Sequence, residues 1–287
     1  VASSDGTVLL ARLRNRALAR SQDRGRSFSL LDIPHAQVPS VLGWLDGHGF
    51  VGVADDGGVV RSDLAGQAWT HTEPVEPVRA NRLAINPKTG SVVAVGPSGF
   101  IGRLPPGAAR FDVVAEDLGG LIRALVWAPD TDTIVGAGLN ATIVRSSDGG
   151  KSFQRIRSPL ARSVEFKALS YDATHSVFVA ATSAGAVYRS SDDGRSFHES
   201  AALGTEVLQL AGLGEGRMLA LCSRNGARLT HDGGKTFGPP LLGLAQTFRY
   251  AAPGCTPGSA LVVGDNGTLM RSNGGALVTS LPCNRTR

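Results

Sequence analysis

Short apolar runs broken by glycine-rich turns recur along the whole chain. One unit reads Phe50-Val51-Gly52-Val53-Ala54, then Asp55-Asp56-Gly57-Gly58, then Val59-Val60-Arg61-Ser62. Another reads Val177-Phe178-Val179-Ala180-Ala181, then Ser183-Ala184-Gly185, then Ala186-Val187-Tyr188-Arg189. Runs rich in β-branched and aromatic residues, split by residues that accept positive φ, predict β-hairpins. Long segments with the apolar period of an amphipathic helix are absent, and no apolar run is long enough for a membrane span.

The hairpins belong to a repeat. Ser146-Ser147-Asp148-Gly149-Gly150-Lys151-Ser152-Phe153, Ser190-Ser191-Asp192-Asp193-Gly194-Arg195-Ser196-Phe197 and Thr230-His231-Asp232-Gly233-Gly234-Lys235-Thr236-Phe237 match closely. Ser21-Gln22-Asp23-Arg24-Gly25-Arg26-Ser27-Phe28 fits the same pattern, and the segments 62–69 and 272–278 are degraded copies. Residues 104–111 keep only the final aromatic, Phe111. The marker positions 28, 69, 111, 153, 197, 237 and 278 lie 41, 42, 42, 44, 40 and 41 residues apart, so seven copies fill the 287 residues. A period near 40–45 residues with several short strands in each copy is the signature of a β-propeller blade. The expected fold is therefore all-β: a seven-bladed β-propeller, one domain over residues 1–287. Its blades fall at about 1–33, 34–76, 77–116, 117–158, 159–200, 201–242 and 243–287. Each blade reads as strands A, B and C, the motif turn, then strand D. Only Val1 to Gly6 remain for the inner strand of the first blade, so either that strand is stunted or residues precede this chain.

The motif is built for a turn. An Asp carboxylate accepts backbone N–H bonds across the hairpin, the Gly permits a left-handed residue, and the aromatic opens strand D. Asp23, Asp148, Asp192 and Asp232 are thereby assigned a structural rather than a catalytic role. These motifs resemble the Asp-box, or BNR, repeat of sialidase-like propellers. With the preceding G-x-[VI]-x-[RY]-S strand they look most like the photosystem II stability/assembly factor type, over the whole chain. Copies two, three and seven depart from the pattern. The resemblance implies an exported, periplasmic or secreted assembly factor that holds another protein.

Lys+Arg 29 against Asp+Glu 24 leaves +5, a mild excess, with aromatics at 6% and the basic residues scattered. That excludes the basic, aromatic-interleaved stripe of a nucleic-acid binder. Lysine occurs at four positions and arginine at 25, which reflects genomic base composition or carboxylate recognition. Cys222 lies in an apolar run and reads as a buried thiol; a Cys255–Cys283 bridge would suit an oxidising compartment. The chain opens on Val1, which leaves room for a cleaved leader. His35, His48, His71, His175, His198 and His231 show no metal-ligand spacing, and no cofactor motif is present. The glycosylation triplets at Asn140, Asn266 and Asn284 read as chance.

Propellers bind at the channel mouth, so residues at one phase near the start of strand A are the candidate site: Arg82, Arg123, Lys167, Gln209 and Arg249, with Ser40 in the remaining place. A ring of like charge needs an anionic occupant; alternatively these side chains are solvated or pair locally, for instance with Glu165 or Glu206. A second arginine series, Arg20, Arg61, Arg103, Arg145 and Arg189, stands eight residues before the first five markers and reads as a repeat-wide structural device. The proline-stiffened loop Glu73 to Asn81 is either a recognition edge or a rigid link.

Catalysis fits less well. Arg82, Arg123 and Arg249 mimic a sialidase arginine triad, but Tyr171 and Tyr188 sit away from strand starts, Tyr250 alternates with Arg249, and the F-R-I-P motif is absent. Asp55, Asp56 and Asp265 are the acids for a paired-carboxylate mechanism, which needs a facing geometry. The expected function is a non-enzymatic scaffold for a protein partner, docking an acidic or carboxylate-bearing group, with an anionic small molecule or glycan also conceivable. The alternative is a sialidase-like hydrolase or lectin.

Overall fold

A computed structural model describes residues 1–13, 15–76, 78–129, 131–157, 160–224, 226–241, 248–253, 260–264, 269–273 and 276–278. Cys255, Cys283, Asp265, Asn266 and Asn284 lie outside the described residues, as does the side chain of Arg249. The chain forms two compact units, Val1–Ile134 with Ser146–Gln154, and Val135–Arg145 with Arg155–Arg287.

The described strands form antiparallel sheets of three or four strands, each joining strands consecutive in the chain. The first unit holds three whole sheets. Sheet one is β1 (Leu9–Arg12), β2 (Leu18–Ser21) and β3 (Ser29–Leu31). Sheet two is β4 (Pro39–Leu45), β5 (Gly49–Ala54), β6 (Val59–Ser62) and β7 (Trp69–Thr72). Sheet three is β8 (Arg82–Ile85), β9 (Val92–Val95), β10 (Ile101–Leu104) and β11 (Asp112–Ala115). Sheet four runs β12 (Ile122–Trp127), β13 (Ile134–Gly138), β14 (Ile143–Ser146) and β15 (Gln154–Arg155). The second unit holds β16 (Phe166–Asp172), β17 (Val177–Thr182), β18 (Ala186–Ser190) and β19 (His198–Ala202) as sheet five. Sheet six is β20 (Val207–Gly214), β21 (Arg217–Cys222) and β22 (Ala227–Thr230). Sheet seven is β23 (Phe248–Pro253), β24 (Ala260–Gly264), β25 (Leu269–Asn273) and β26 (Ala276–Val278).

Two sheets depart from the expected four strands. In sheet one, strand β1 stands where strand B was expected, and only an isolated bridge from Ala2 to Leu9 occupies the inner place. In sheet six, Gly238-Pro239-Pro240 follows the motif. Proline donates no ladder bond. The segment follows β22 through the backbone bonds Gly238 N to Leu229 O and Leu241 N to Ala227 O, both 2.9 Å or shorter.

Within each unit the core lies between successive sheets. In the second unit, Val177, Val179 and Val187 of sheet five meet Val207, Leu210 and Met218 of sheet six. Cys222 is buried in that cluster, where burial pushes its thiol pKa up. In the first unit, Val51 and Val59 meet Val92 and Leu104. Both faces of the middle strands are covered; β5, β9, β13 and β17 are buried at every position. That explains why their sequences are continuous apolar runs rather than alternating ones.

The four well-matched motif turns share one hydrogen-bond circuit. Ser190 Oγ donates to Asp192 Oδ1 (2.7 Å) and accepts from Gly194 N (2.9 Å). Asp192 also accepts from Arg195 N (3.1 Å), Ser196 N (3.0 Å) and Ser196 Oγ (2.6 Å). Asp23, Asp148 and Asp232 are bonded by the corresponding hydroxyls in the same way. Burial pushes the Asp192 carboxyl up, but the hydroxyls of Ser196 and Ser190 and the amides of Ser196 and Arg195 outweigh it and bring the pKa down to about 2. The same balance brings Asp148 and Asp232 to about 2.

The turns at Asp148, Asp192 and Asp232 are also seated on the sheet before them. Gly194 has φ +80 and Gly234 φ +79, which favours glycine, and added Cβ atoms would stand 2.6 Å from Val135 and 2.9 Å from Val179. The second arginine series completes the seat. Arg61 Nη2 donates to Ala108 O (2.6 Å), Arg103 Nε to Gly149 O (3.0 Å), Arg145 Nε to Asp193 O (2.6 Å) and Arg189 Nε to Gly233 O (2.6 Å). Arg20 reaches Ala65 O in the same manner (3.2 Å). These guanidinium heads are therefore bonded to the next turn. Arg145 is the most deeply set, at 4% exposure, and also pairs with the Asp193 carboxylate.

Two outcomes follow. Asp192→Ala leaves near-surface amides to water and should lower stability by about 1 kcal/mol, read as a thermal midpoint about 2–4 °C lower. Because the folded carboxyl lies below its unfolded value, its stabilisation is complete above about pH 4 and fades as pH falls toward 2; Asp192→Asn should flatten that part of the acid profile. Separately, Arg145→Met should cost about 1–3 kcal/mol by orphaning the Asp193 carbonyl, while Asp193→Asn, which keeps that carbonyl bond, a side-chain acceptor and a residue type that tolerates the left-handed φ of 63, should cost less. Equal losses in paired denaturant melts would contradict the carbonyl seat.

Candidate functional site

The first strands of neighbouring sheets lie side by side: β4, β8 and β12 in the first unit, β16, β20 and β23 in the second. The candidate residues cluster where these strands begin, and β-bulges set what they present. Register slips once near the start of β4, β16, β20 and β23, between Pro39 and Val41, Phe166 and Ala168, Val207 and Gln209, and Phe248 and Tyr250. The extra residues are Ser40, Lys167, Leu208 and Arg249. A bulge leaves its extra residue out of the ladder and re-aims the side chain. In sheet six that residue is Leu208, so Gln209 lies one place past the equivalent of Lys167.

Each candidate has a definite environment. Ser40 Oγ donates to Val53 O at 2.9 Å. Arg82 opens β8, is exposed, and donates from Nη1 to Asn81 O at 2.7 Å. Arg123 is the second residue of β12 and is half-buried. Lys167 Nζ lies 3.0 Å from Glu165 and 3.5 Å from Glu206, so two carboxylates compensate this cation. Gln209 has both ends of its amide engaged: Nε2 donates to Ala251 O and Oε1 accepts from Ala251 N, each at 2.7 Å. That pair joins β20 to β23 as a main-chain stitch. In the first unit the basic residues at the strand starts are Arg82 and Arg123.

Of the acids weighed for chemistry, Asp55 and Asp56 are paired too, and Asp265 lies outside the described residues. Asp55 takes Arg12 at 3.0 Å and Arg16 at 3.8 Å. Asp56 takes His71 Nε2 at 2.9 Å. Asp172, buried, takes His175 Nδ1 at 2.6 Å. Tyr188 sits on β18 next to Glu199 of β19, away from the strand starts, and burial first and that carboxylate second push its hydroxyl pKa up. Among the described residues, no group of three His, Cys, Asp or Glu side chains could hold a metal ion. No described helix is long and apolar enough to cross a membrane.

No protein-family model matches the chain, and no curated protein matches it. Solved structures do. The structure described as YCF48 bound to D1 peptide is similar at TM-score 0.62 and 18% identity, over 78% of this chain and 73% of that one. A chain of the mitotic checkpoint complex is similar at TM-score 0.75 and 13% identity, over 93% and 84%. The RRP9 WD40 repeats are similar at TM-score 0.68 and 12% identity, over 86% and 82%. The chain is an all-β protein of small antiparallel sheets with a propeller-like fold.

The stitch at Gln209 has a measurable consequence. Gln209→Leu keeps the volume but leaves the Ala251 amide and carbonyl unbonded, at about 1–3 kcal/mol in chemical denaturation. An unchanged melt would show that this amide is dispensable to the strand pair.

Proposed function

We propose that the chain is a seven-bladed β-propeller with Asp-box turns between the third and fourth strands of its blades, and that it works as a non-enzymatic protein-binding scaffold. In this reading an acidic or carboxylate-bearing segment of a partner protein docks where the inner strands begin. One observation carries the proposal: Arg82 and Arg123 stand at the starts of β8 and β12, which lie side by side. Two guanidinium groups on neighbouring strands match the fork geometry of a carboxylate. A fold neighbour is bound to a peptide, which supports a peptide-holding role for this one. A rigid sheet framework loses little ordering entropy on docking, which favours recognition by preformed shape and charge. Residence in the periplasm or outside the cell accompanies this reading.

The reading is narrower than a full basic ring, since Lys167 is compensated and Gln209 is a stitch. The test is fluorescence anisotropy at low salt with a labelled peptide of alternating Asp and Ala ending in a free carboxylate. The expected result is binding that weakens as salt rises. Arg82→Glu with Arg123→Glu should weaken it at least tenfold, with the thermal midpoint held. Affinity that is absent, or indifferent to charge reversal, would sink the acidic-partner reading.

A further inference from the structure

The loop from Glu73 to Asn81, undecided between a recognition edge and a rigid link, is one wall of a groove in the first unit. A cavity of 270 Å³ lies between sheets two and three, with this loop on one side and the turn and outer strand β11 on the other. Three contacts hold the loop. Arg110 Nε donates to Glu73 O at 3.2 Å. Asn81 N donates to Val95 O at 2.8 Å. The Arg79 carbonyl packs on Gly96 so closely that a Cβ there would stand 1.8 Å from it. The groove is therefore preformed.

Its chemistry is mixed in an ordered way. Val78, Phe100 and Phe111 line it, and Val75 and Val113 rise at its walls with 76% and 49% of their surface exposed. Apolar side chains left that open beside a concave site mark an interaction surface. The charged lining residues are Glu76, Glu116 and Arg110, and the arginine's Nε is turned to the loop carbonyl. The lining thus carries a net acidic charge beside an apolar hollow. The volume falls below the roughly 300–1,000 Å³ of small-molecule sites and suits one large side chain.

We propose that this groove takes a short extended segment of a partner protein, with an aliphatic or aromatic side chain in the hollow and an adjacent Lys or Arg beside Glu76 and Glu116. Its charge preference is opposite to that of the Arg82–Arg123 site, so the two surfaces read different parts of a partner, and neither reading depends on the other. The pattern is an anchored side chain with a charged neighbour setting specificity.

The test uses the full chain and two panels of labelled hexapeptides. Each peptide carries one Leu, Phe or Trp followed by Lys or Arg in the first panel, and by Asp or Glu in the second. Binding at low salt should favour the first panel at least tenfold. Val113→Asp, and separately Glu76→Lys with Glu116→Lys, should each remove that preference while leaving the thermal midpoint in place. Arg82→Glu should not affect it. Equal binding of the panels, or a preference that survives both groove variants, overturns the proposal. So does sedimentation showing a dimer that Val113→Asp dissolves with no peptide bound, since the occupant is then a second copy of this chain.

Discussion

The seating of motif turns on the sheets before them is the constraint from which the other features follow. An arginine from the third strand donates to a carbonyl in the next turn, as Arg189 does to Gly233. The turn's last glycine presses on a valine of the earlier sheet's second strand, as Gly234 does on Val179. A hairpin sheet on its own has an exposed apolar face and is marginal. Seating brings the faces of Val177, Val179 and Val187 against Val207, Leu210 and Met218, which buries both. Polar bonds with fixed geometry thereby set the angle at which nonspecific apolar surfaces meet.

This arrangement also decides which charges are available to a partner. The motif carboxylates bond to hydroxyls and amides inside their own turns, and the third-strand arginines bond to carbonyls of neighbouring turns. Asp55, Asp56 and Asp172 are held by Arg12, His71 and His175. Much of the scattered charge is structural, and further charged residues stand at the strand starts and between sheets. Those are the places where irregular backbone, through bulges at Ser40 and Lys167 or through the Glu73 to Asn81 loop, aims side chains away from the ladder.

The contrast between Gln209 and Lys167 shows how far local pattern reaches. Spacing from the aromatic marker put both at one phase, and both do lie near the starts of first strands. Yet the bulge falls on Leu208 in one sheet and on Lys167 in the other, because a bulge depends on how two strands pair and not on either strand alone. Glu165 and Glu206 were visible in the sequence as possible partners of Lys167, but only their side-by-side strands show that both engage it. The second arginine series was legible as structural from its recurrence, while its bonding partners, in the following turn, were not.

By itself the sequence determined the local events: the hairpins, the repeat of about forty residues, the turn chemistry at Asp23, Asp148, Asp192 and Asp232, and the burial of Cys222. These rest on neighbours within a few residues, where backbone preference and short side chains suffice. Tertiary structure alone decided the bulge positions, the arginine seats, the stitch from Gln209 to Ala251, and the groove between sheets two and three. A bulge arises from how two paired strands of one sheet meet, whereas the seats, the stitch and the groove join segments about forty residues apart, whose meeting is set by how one sheet's face packs on the next.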